Sequence, residues 1–483
     1  KKIAKKTKVT WKLGNKKIAK IVKQKKTGKP YAVIQGVKKG KTTLLARYKH
    51  GKKIRKLTCR ITVLAAKKAT PQKNVAVPSS TASPSQAPNR TPVPTATPTP
   101  TWVTTWGTAE EKCDVTSNAM PQIALEDSTV RQVIKVTTTG SKIRFRLSNQ
   151  YGGRDVTIKS MHIAKQVKAS NPEINTDTDA TVTFEGKENF IIPKGKVIQT
   201  DAIDFPVEAL ENVAISTFFG ETPTTNITGH RGARATTYQV SGNQVSANTF
   251  SNYKKTTSWF FLADASLLSA NGSKAVVCFG DSITDGYGTD ATYLGKKPDS
   301  YTRWGDYFAK RLKANKGTEN VSVINEGIGS NSILGSYPTD AGKNRFNRDL
   351  LEHDGVAYCI ILFGVNDLDK LQNTDKYNLL LPEYQKMIET CHKNNIKVYG
   401  APILPFGTSS FYSENSEKVR QLINQWMRSS ESGVDGIIDF ENAVADPANP
   451  QNLLAKYTNK DDGIHPYNGY QVMANAIDLN LFQ

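Results

Sequence analysis

Four short motifs in the C-terminal half of the chain contain residue types that could together cleave an ester. They are Gly280-Asp281-Ser282, Asn325–Asn331 (NEGIGSN), Gly364–Asp367 (GVND) and Asp462–Pro466 (DGIHP). Each is weak evidence alone, because Gly, Asp, Asn and Ser are ordinary turn residues. In combination they supply a hydroxyl, an imidazole, carboxylates and a side-chain amide, the groups used in nucleophilic catalysis by a serine.

The candidate nucleophile and base are Ser282 and His465. A serine hydroxyl is a poor nucleophile near neutral pH and needs a base within hydrogen-bond reach, itself held in one tautomer by a third group. Asp462 lies three residues before His465, so one turn of chain can bring its carboxylate to the ring. The nearest rival among the six histidines, His353, is interpreted as a loop residue. His230, in HRGARATTY, either lines a site or lies in a surface loop.

The predicted secondary structure places the four motifs at one edge of a sheet. Apolar runs predict strands at 274–279, 321–325, 357–363, 397–402 and 434–440. Helical spacing predicts helices after a cap at Thr302, at 381–395, at 416–430 and from Pro466. Repeated strand and helix units give a parallel doubly wound sheet, in which the carboxyl ends of the strands share one edge. We therefore expect the motifs to meet there.

This ordered set of motifs resembles the SGNH, or GDSL, family of serine esterases over residues 269–483. The resemblance implies a flavodoxin-like three-layer α/β/α fold and hydrolysis through an acyl-enzyme. It also implies the roles of three residues: Ser282 as the nucleophile, His465 as the general base and Asp462 as the carboxylate that orients the base.

The same resemblance implies an oxyanion hole with three donors. They are the backbone N–H of Ser282, a backbone N–H of the second motif and the side chain of Asn366. Where the family usually has Gly, this sequence has Ser330, preceded by Gly329. Because a backbone donor survives a change of side chain, we assign the second donor to Ser330, with Gly329 as the alternative.

No cofactor or metal is expected. Gly327-Ile328-Gly329 lacks the third Gly of a dinucleotide fingerprint, and the chain has no phosphate loop, HExxH motif or cluster of His and Cys. The five cysteines are too few and too widely spaced for a disulfide framework. Two of them, Cys278 and Cys359, lie in apolar strand runs and are predicted to be small core residues.

The net charge of +22 belongs to the N-terminal end of the chain. Residues 1–70 contain 25 of the 65 Lys and Arg and no Asp or Glu, which leaves 40 basic and 43 acidic residues in the remainder. This segment either contacts an anionic cell-wall polymer or serves as a well-solvated spacer. Nucleic acid is not an expected partner of the whole chain, and no apolar run reaches the length of a membrane span.

Residues 1–66 and 67–101 have the composition of a small β-rich module and a linker. The runs VTWKL, NKKIAKIV, GVKKGKTTLLARY and CRITVL resemble bacterial immunoglobulin-like (group 2) modules of surface and secreted proteins. The following segment, with TPVPTATPTPT, is typical of an extended Pro/Thr linker. Together they favour an extracellular or cell-surface location in a bacterium.

Residues 102–268 are predicted to form a β-sandwich, because strictly alternating runs such as KIRFRL recur without a helical period. The phrases TWVTTWGTAEE, STVRQV, KIRFRLSNQYGG and ARATTY resemble the β-rich region that precedes the catalytic part in a subgroup of secreted SGNH esterases associated with xylan breakdown. That resemblance implies deacetylation of plant polysaccharide, acetylated xylan first. The alternatives are another acetylated glycan such as pectin or peptidoglycan, a lipid or aryl ester, and a non-catalytic surface protein that binds glycans.

Overall fold

The computed structural model describes residues 9–25, 31–50, 53–63, 100–113, 125–270, 272–335, 339–459 and 461–483. They divide into two units, Lys1–Val93 and Pro94–Gln483. All but residues 100 and 101 of the predicted linker lie outside the described residues. Within the described part, no helix combines the length and apolar character needed to cross a membrane.

The first unit is a small antiparallel β structure. Its strands are β1 (Val9–Leu13), β2 (Ala19–Lys25), β3 (Tyr31–Gly36), β4 (Gly40–His50) and β5 (Lys53–Val63). Strand β4 lies between β1 and β5, and β2 pairs with β3. The unit is thus β-rich, as expected, while its immunoglobulin-like character stays a prediction.

The N-terminal part of the second unit is built from antiparallel sheets. Its strands are β6 (Thr101–Gly107), β7 (Glu111–Cys113), β8 (Ser128–Lys135), β9 (Gly140–Ser148), β10 (Val156–Gln166), β11 (Ile174–Thr181), β12 (Phe190–Ile192), β13 (Val197–Gln199), β14 (Ile203–Val207), β15 (Asn212–Phe219), β16 (Ile227–His230), β17 (Thr237–Ser241), β18 (Lys254–Thr256), β19 (Trp259–Phe260) and β20 (Leu262–Ser269). One sheet has the order β11-β10-β15-β8-β17-β18, a second has the order β13-β9-β20-β6, and β16 pairs with β19 and β7. Apolar side chains that alternate along β8, β9 and β15 form a common core. We call this part the β-rich region.

The C-terminal part is a parallel sheet flanked by helices. Its strands are β21 (Lys274–Gly280), β22 (Val321–Gly327), β23 (Val356–Leu362), β24 (Lys397–Gly400) and β25 (Gly436–Ile437), in the order β22-β21-β23-β24-β25. The helices are α1 (Ser282–Asp285), α2 (Trp304–Ala314), α3 (Gly342–Leu351), α4 (Lys376–Lys393), α5 (Glu414–Met427), α6 (Phe440–Val444) and α7 (Tyr470–Ala476), with 3-10 turns at Thr292–Leu294, Val365–Leu368 and Leu479–Phe482. This strand order is that of flavodoxin-like sheets. The predicted α/β fold with a preceding β-rich region is confirmed.

Several predicted boundaries are wrong, and local hydrogen bonds explain why. The last helix starts at Tyr470 because the N–H of Gly469 bonds to the carbonyl of Pro466 and closes a turn before it. The cap of α2 is Arg303 and not Thr302, since the Asp306 carboxylate accepts the backbone N–H of Arg303. The last strand ends early because Asp439 caps α6.

Hydrogen bonds between β6 and the parallel sheet join the two parts of the second unit. The backbone N–H of Thr104 donates to the carbonyl of Asp354 at 3.0 Å, and the Ser322 hydroxyl donates to the carbonyl of Thr104 at 2.5 Å. An ion pair of 2.7 Å between Arg144 and Asp354 lies beside them. Cys278 and Cys359, which are predicted to lie in the core, are buried.

His353 lies in a loop, as predicted, but it is buried between the two parts. Its Nδ1 is 2.9 Å from Oδ2 of Asp264 in β20, and its Nε2 is 3.0 Å from Oε1 of Glu326 in β22. Burial disfavours the charged ring, but the two carboxylates outweigh this effect and raise the pKa of His353 to about 9. The charged histidine therefore bridges a strand of the β-rich region and a strand of the parallel sheet.

This bridge predicts a loss of stability in alkali. The pKa of His353 is raised above its ordinary value of 6.5, so its contribution is complete below pH 6.5 and disappears as the pH rises through about 9. In urea unfolding from pH 6 to 10, His353→Gln should show a flatter decline in the free energy of unfolding than the unchanged protein. The control His392→Gln, at an exposed histidine, should keep the original pH dependence. Parallel curves for all three proteins would contradict this account of His353.

Candidate active site

Ser282 is the first residue of α1, directly after the buried strand β21. A Cβ at Gly280 would lie 2.3 Å from the carbonyl oxygen of Leu362, so the chain can turn here only without a side chain. Asp281 caps the helix by accepting the N–H of Ile283 at 3.0 Å, and burial raises the pKa of Asp281 to about 7. Gly286, with a φ of 85°, ends the helix after one turn. The turn presents Ser282 at the carboxyl edge of the sheet.

The structure brings Ser282, His465 and Asp462 together. Oγ of Ser282 is 2.8 Å from Nε2 of His465, and Nδ1 of His465 is 2.9 Å from Oδ2 of Asp462. The same carboxylate oxygen also accepts the backbone N–H of His465 at 3.1 Å. Burial works against the charge on Asp462, yet the hydrogen bond from His465 holds the pKa of Asp462 below the ordinary value. With Nδ1–H donated to Asp462, Nε2 is left to accept the Ser282 proton.

The predicted oxyanion donors face the same cavity. The backbone N–H of Ser282 is the first of a helix and has no partner within it. Ser330 has a left-handed φ of 60°, and among the described residues neither its backbone N–H nor that of Gly329 has a hydrogen-bond partner. Nδ2 of Asn366 donates one proton to the carbonyl of Asn331 at 2.8 Å, which leaves its second proton for a ligand.

Two buried side chains that the sequence did not single out hold these loops in place. The carboxylate of Asp367 accepts the N–H groups of Ile333 and Leu334 at 2.8 and 3.1 Å and so ties the segment that follows the second motif to the third motif. The guanidinium of Arg345 donates to the carbonyls of Gly280 and Glu326 at 2.8 and 3.0 Å. Arg345 lies in NRFNRDLL with Asp349 four residues later, a pattern that an exposed helix also shows.

The cavity at Ser282 has a volume of about 610 Å³ and is lined by both parts of the second unit. The β-rich region contributes Glu111, Arg231, Gly232 and Arg234, so it forms one wall of the site. Aromatic side chains of the C-terminal part form other walls: Tyr287, Tyr293, Phe411 and Tyr467. His230 does not lie in a surface loop, because it is buried in β16 behind this wall. Within the described ranges, no group of three or more His, Cys, Asp or Glu side chains is placed to hold a metal ion.

The C-terminal part of the chain, which contains Ser282, matches a known protein family. Residues 278–471 match the model of the GDSL-like lipase/acylhydrolase family. They form a GDSL-like lipase/acylhydrolase domain. This match includes all four motifs and therefore supports an esterase. A comparison with curated proteins gives no match.

Among solved structures, several bacterial proteins are similar to parts of this chain. The lipase/acylhydrolase from Enterococcus faecalis is 23% identical, with a TM-score of 0.31, covering 42% of this chain and 92% of that one. A family two carbohydrate esterase from Clostridium thermocellum, in complex with cellohexaose, is 15% identical with a TM-score of 0.33 and covers 71% and 91%. A family two carbohydrate esterase from Cellvibrio japonicus is 11% identical with a TM-score of 0.32 and covers 79% and 94%.

The tight contact between α1 and β22 predicts that Gly327→Ala disrupts the GDSL domain. A Cβ at Gly327 would lie 2.2 Å from the backbone N of Asp285, where no side chain can move aside. We expect a loss of about 1–3 kcal/mol in the free energy of unfolding, together with a fall in p-nitrophenyl acetate hydrolysis because α1 is displaced. The control Gly305→Ala places its Cβ 3.7 Å from Val323 and should preserve both properties. Unchanged stability and turnover for Gly327→Ala would refute this packing.

Proposed function

We propose that this protein is a serine esterase that removes O-acetyl groups from plant cell-wall polysaccharide, with acetylated xylan as the leading substrate. The observation that carries the proposal is the 2.8 Å contact between Oγ of Ser282 and Nε2 of His465, with Asp462 at 2.9 Å on the far side of the ring. This is the arrangement that activates a serine hydroxyl.

In the proposed mechanism, His465 takes the proton of Ser282 as its oxygen attacks the acetyl carbonyl carbon. The backbone N–H of Ser282, that of Ser330 or Gly329, and the free amide proton of Asn366 stabilise the oxyanion. The C–O bond to the sugar then breaks, and His465 returns the proton to the departing sugar hydroxyl. Water, deprotonated by His465, cleaves the acetyl-enzyme and releases acetate with the serine regenerated.

The choice of a polysaccharide is supported by the cavity and by the sequence resemblance of residues 102–268. A volume of about 610 Å³ exceeds the needs of an acetyl group, so sugar units attached to it have room. The mixed lining of aromatic rings and charged groups is suited to a ligand with apolar ring faces and many hydroxyls.

We also propose that the protein acts outside the cell and that its basic N-terminal unit contacts an anionic cell-wall polymer. The support is compositional: residues 1–70 contain 25 Lys and Arg and no acidic residue. The composition of the Pro/Thr segment that follows agrees with an extracellular setting.

The first test is acetate release from acetylated xylan. The unchanged protein should release acetate, and Ser282→Ala, which removes the nucleophile but keeps the fold, should reduce the rate to background. Acetylated pectin, acetylated peptidoglycan and p-nitrophenyl esters are assayed in parallel, and a marked preference for one of these would correct the substrate. An unchanged rate in Ser282→Ala would overturn the assigned nucleophile, and glycan binding without turnover of any ester would favour a non-catalytic protein.

The second test concerns the side-chain donor of the oxyanion hole. Asn366→Ala should lower kcat by about 10²–10³ with a nearly unchanged melting temperature, because the lost proton is needed mainly in the transition state. Asn394→Ala, which removes an exposed amide bonded to the carbonyl of Thr390, should retain full turnover. A value of kcat for Asn366→Ala within twofold of the original would argue against this donor.

A further inference from the structure

The segment His230–Arg234 of the β-rich region contacts the back of helix α1. Nε2 of His230 is 3.1 Å from Oδ1 of Asp285, and Nη2 of Arg234 is 2.6 Å from Oδ2 of the same carboxylate. Between them, Gly232 approaches so closely that a Cβ there would lie 2.6 Å from Oδ2 of Asp285. Asp285 is the last residue of the turn that begins with Ser282.

The hydrogen bonds of His230 show that its ring is doubly protonated. Its Nδ1 is 2.8 Å from the carbonyl oxygen of Ala109, and its Nε2 faces the carboxylate of Asp285. Both oxygens only accept hydrogen bonds, so both ring nitrogens must donate. A second carboxylate, that of Glu111, lies 3.5 Å from Nδ1, and the ring packs beside Trp259. Burial opposes the charge, but these carboxylates raise the pKa of His230 above its ordinary value.

Asp285 is correspondingly ionised although it is buried. Burial opposes its charge, yet Arg234 and the charged His230 lower the pKa of Asp285 well below the usual range. A further cation, Arg303, donates from Nε to the backbone carbonyl of Asp285 at 2.6 Å and from Nη2 to that of Ala233 at 2.7 Å. Three cations therefore hold one residue, and two of them come from the β-rich region.

Asp285 is close enough to Ser282 for this attachment to set the position of the nucleophile. Helix α1 has four residues, and a helix of one turn cannot maintain its own geometry. The carbonyl of Ser282 accepts the N–H groups of Gly286 and Tyr287 at 2.9 and 2.8 Å, so the chain just after Asp285 is bonded back to the nucleophile. Arg234 also lies 5.6 Å from the ring centre of Tyr287, whose ring is 4.5 Å from that of His465.

We propose that His230 and Arg234 are positioning residues for Ser282, so that the β-rich region determines the reactivity of the nucleophile through Asp285. This inference rests on the proposed function, because it assigns Ser282 the role of nucleophile. It implies that the parallel-sheet part alone lacks residues that are needed to position Ser282 for catalysis. A displacement of about 1 Å at a reacting group can cost 10²-fold in rate.

The test measures the reactivity of Ser282 in the full chain with diethyl p-nitrophenyl phosphate. The serine oxygen attacks phosphorus, p-nitrophenolate leaves, and the proton of the hydroxyl passes to His465. The rate of p-nitrophenolate release gives the labelling rate constant, and peptide mass analysis locates the modified residue. His230→Phe and Arg234→Met are compared with the unchanged protein well below their melting temperatures.

We expect labelling and kcat for p-nitrophenyl acetate to fall by about tenfold or more, with KM within about twofold. Arg234→Lys, which keeps a cation near Asp285, should recover part of the rate. The control Arg131→Met removes a buried arginine that bonds only within the β-rich region, to Ser216 and to the carbonyl of Pro172. It should lower the melting temperature and leave the labelling rate constant unchanged.

Four other results would contradict the inference or the proposed function. Labelling of His230→Phe at the original rate overturns the inference. A raised KM with unchanged kcat in Arg234→Met also overturns it, because Arg234 would then be a substrate contact. Equal losses of the labelling rate constant and kcat in Arg131→Met would show that the effect is general destabilisation, which also overturns the inference. If His230→Phe does not fold, the labelling rate constant and kcat of Asp285→Asn are compared with those of the unchanged protein instead. Absence of label on Ser282 in the unchanged protein would instead refute the proposed function itself.

Discussion

The backbone packing of helix α1 against the ends of two parallel strands is the constraint on which the site depends. A Cβ at Gly327 would lie 2.2 Å from the backbone N of Asp285 in α1, and a Cβ at Gly280 would lie 2.3 Å from the carbonyl oxygen of Leu362 in β23, so neither position can hold a side chain. Because the turn packs against the two strands, every group that reaches Ser282 approaches from the open edge of the sheet. His465, Ser330 and Asn366 all do so from loops that follow or precede buried elements.

Buried charges explain why the β-rich region and the GDSL domain behave as one unit. An isolated buried charge is costly, and removing one partner of a buried pair leaves the other uncompensated. At this interface His353 has carboxylates on both sides, and Asp285 has cations on both sides. Each group is satisfied only when both parts of the chain are present. Separation of the two parts would expose these groups to water or leave them without a partner of opposite charge.

The fold class predicted from the sequence brings the motifs of the parallel sheet together, but it does not predict contacts between that sheet and the β-rich region. The sequence predicted that Ser282, Asp462 and His465 would meet, because parallel strands deliver their carboxyl ends to one edge. It could not show that Arg231 and Arg234 line the same cavity, since nothing local distinguishes them from other arginines in a β-rich segment. His230 was ambiguous for the same reason. The turn at Pro466 was missed because proline is compatible with both a turn and a first helical position.

The chain separation of the contacts at the site also determines when the site can form. The hydrogen bond between Ser282 and His465 spans 183 residues, and that between Thr104 and Ser322 spans 218. Contacts between such distant segments form slowly, because a long loop must close before they can stabilise the chain. His465 follows the β-rich region and Ser282 in the chain, so it is synthesised after both of them. The contact between Ser282 and His465 therefore cannot form until the chain has been synthesised as far as His465.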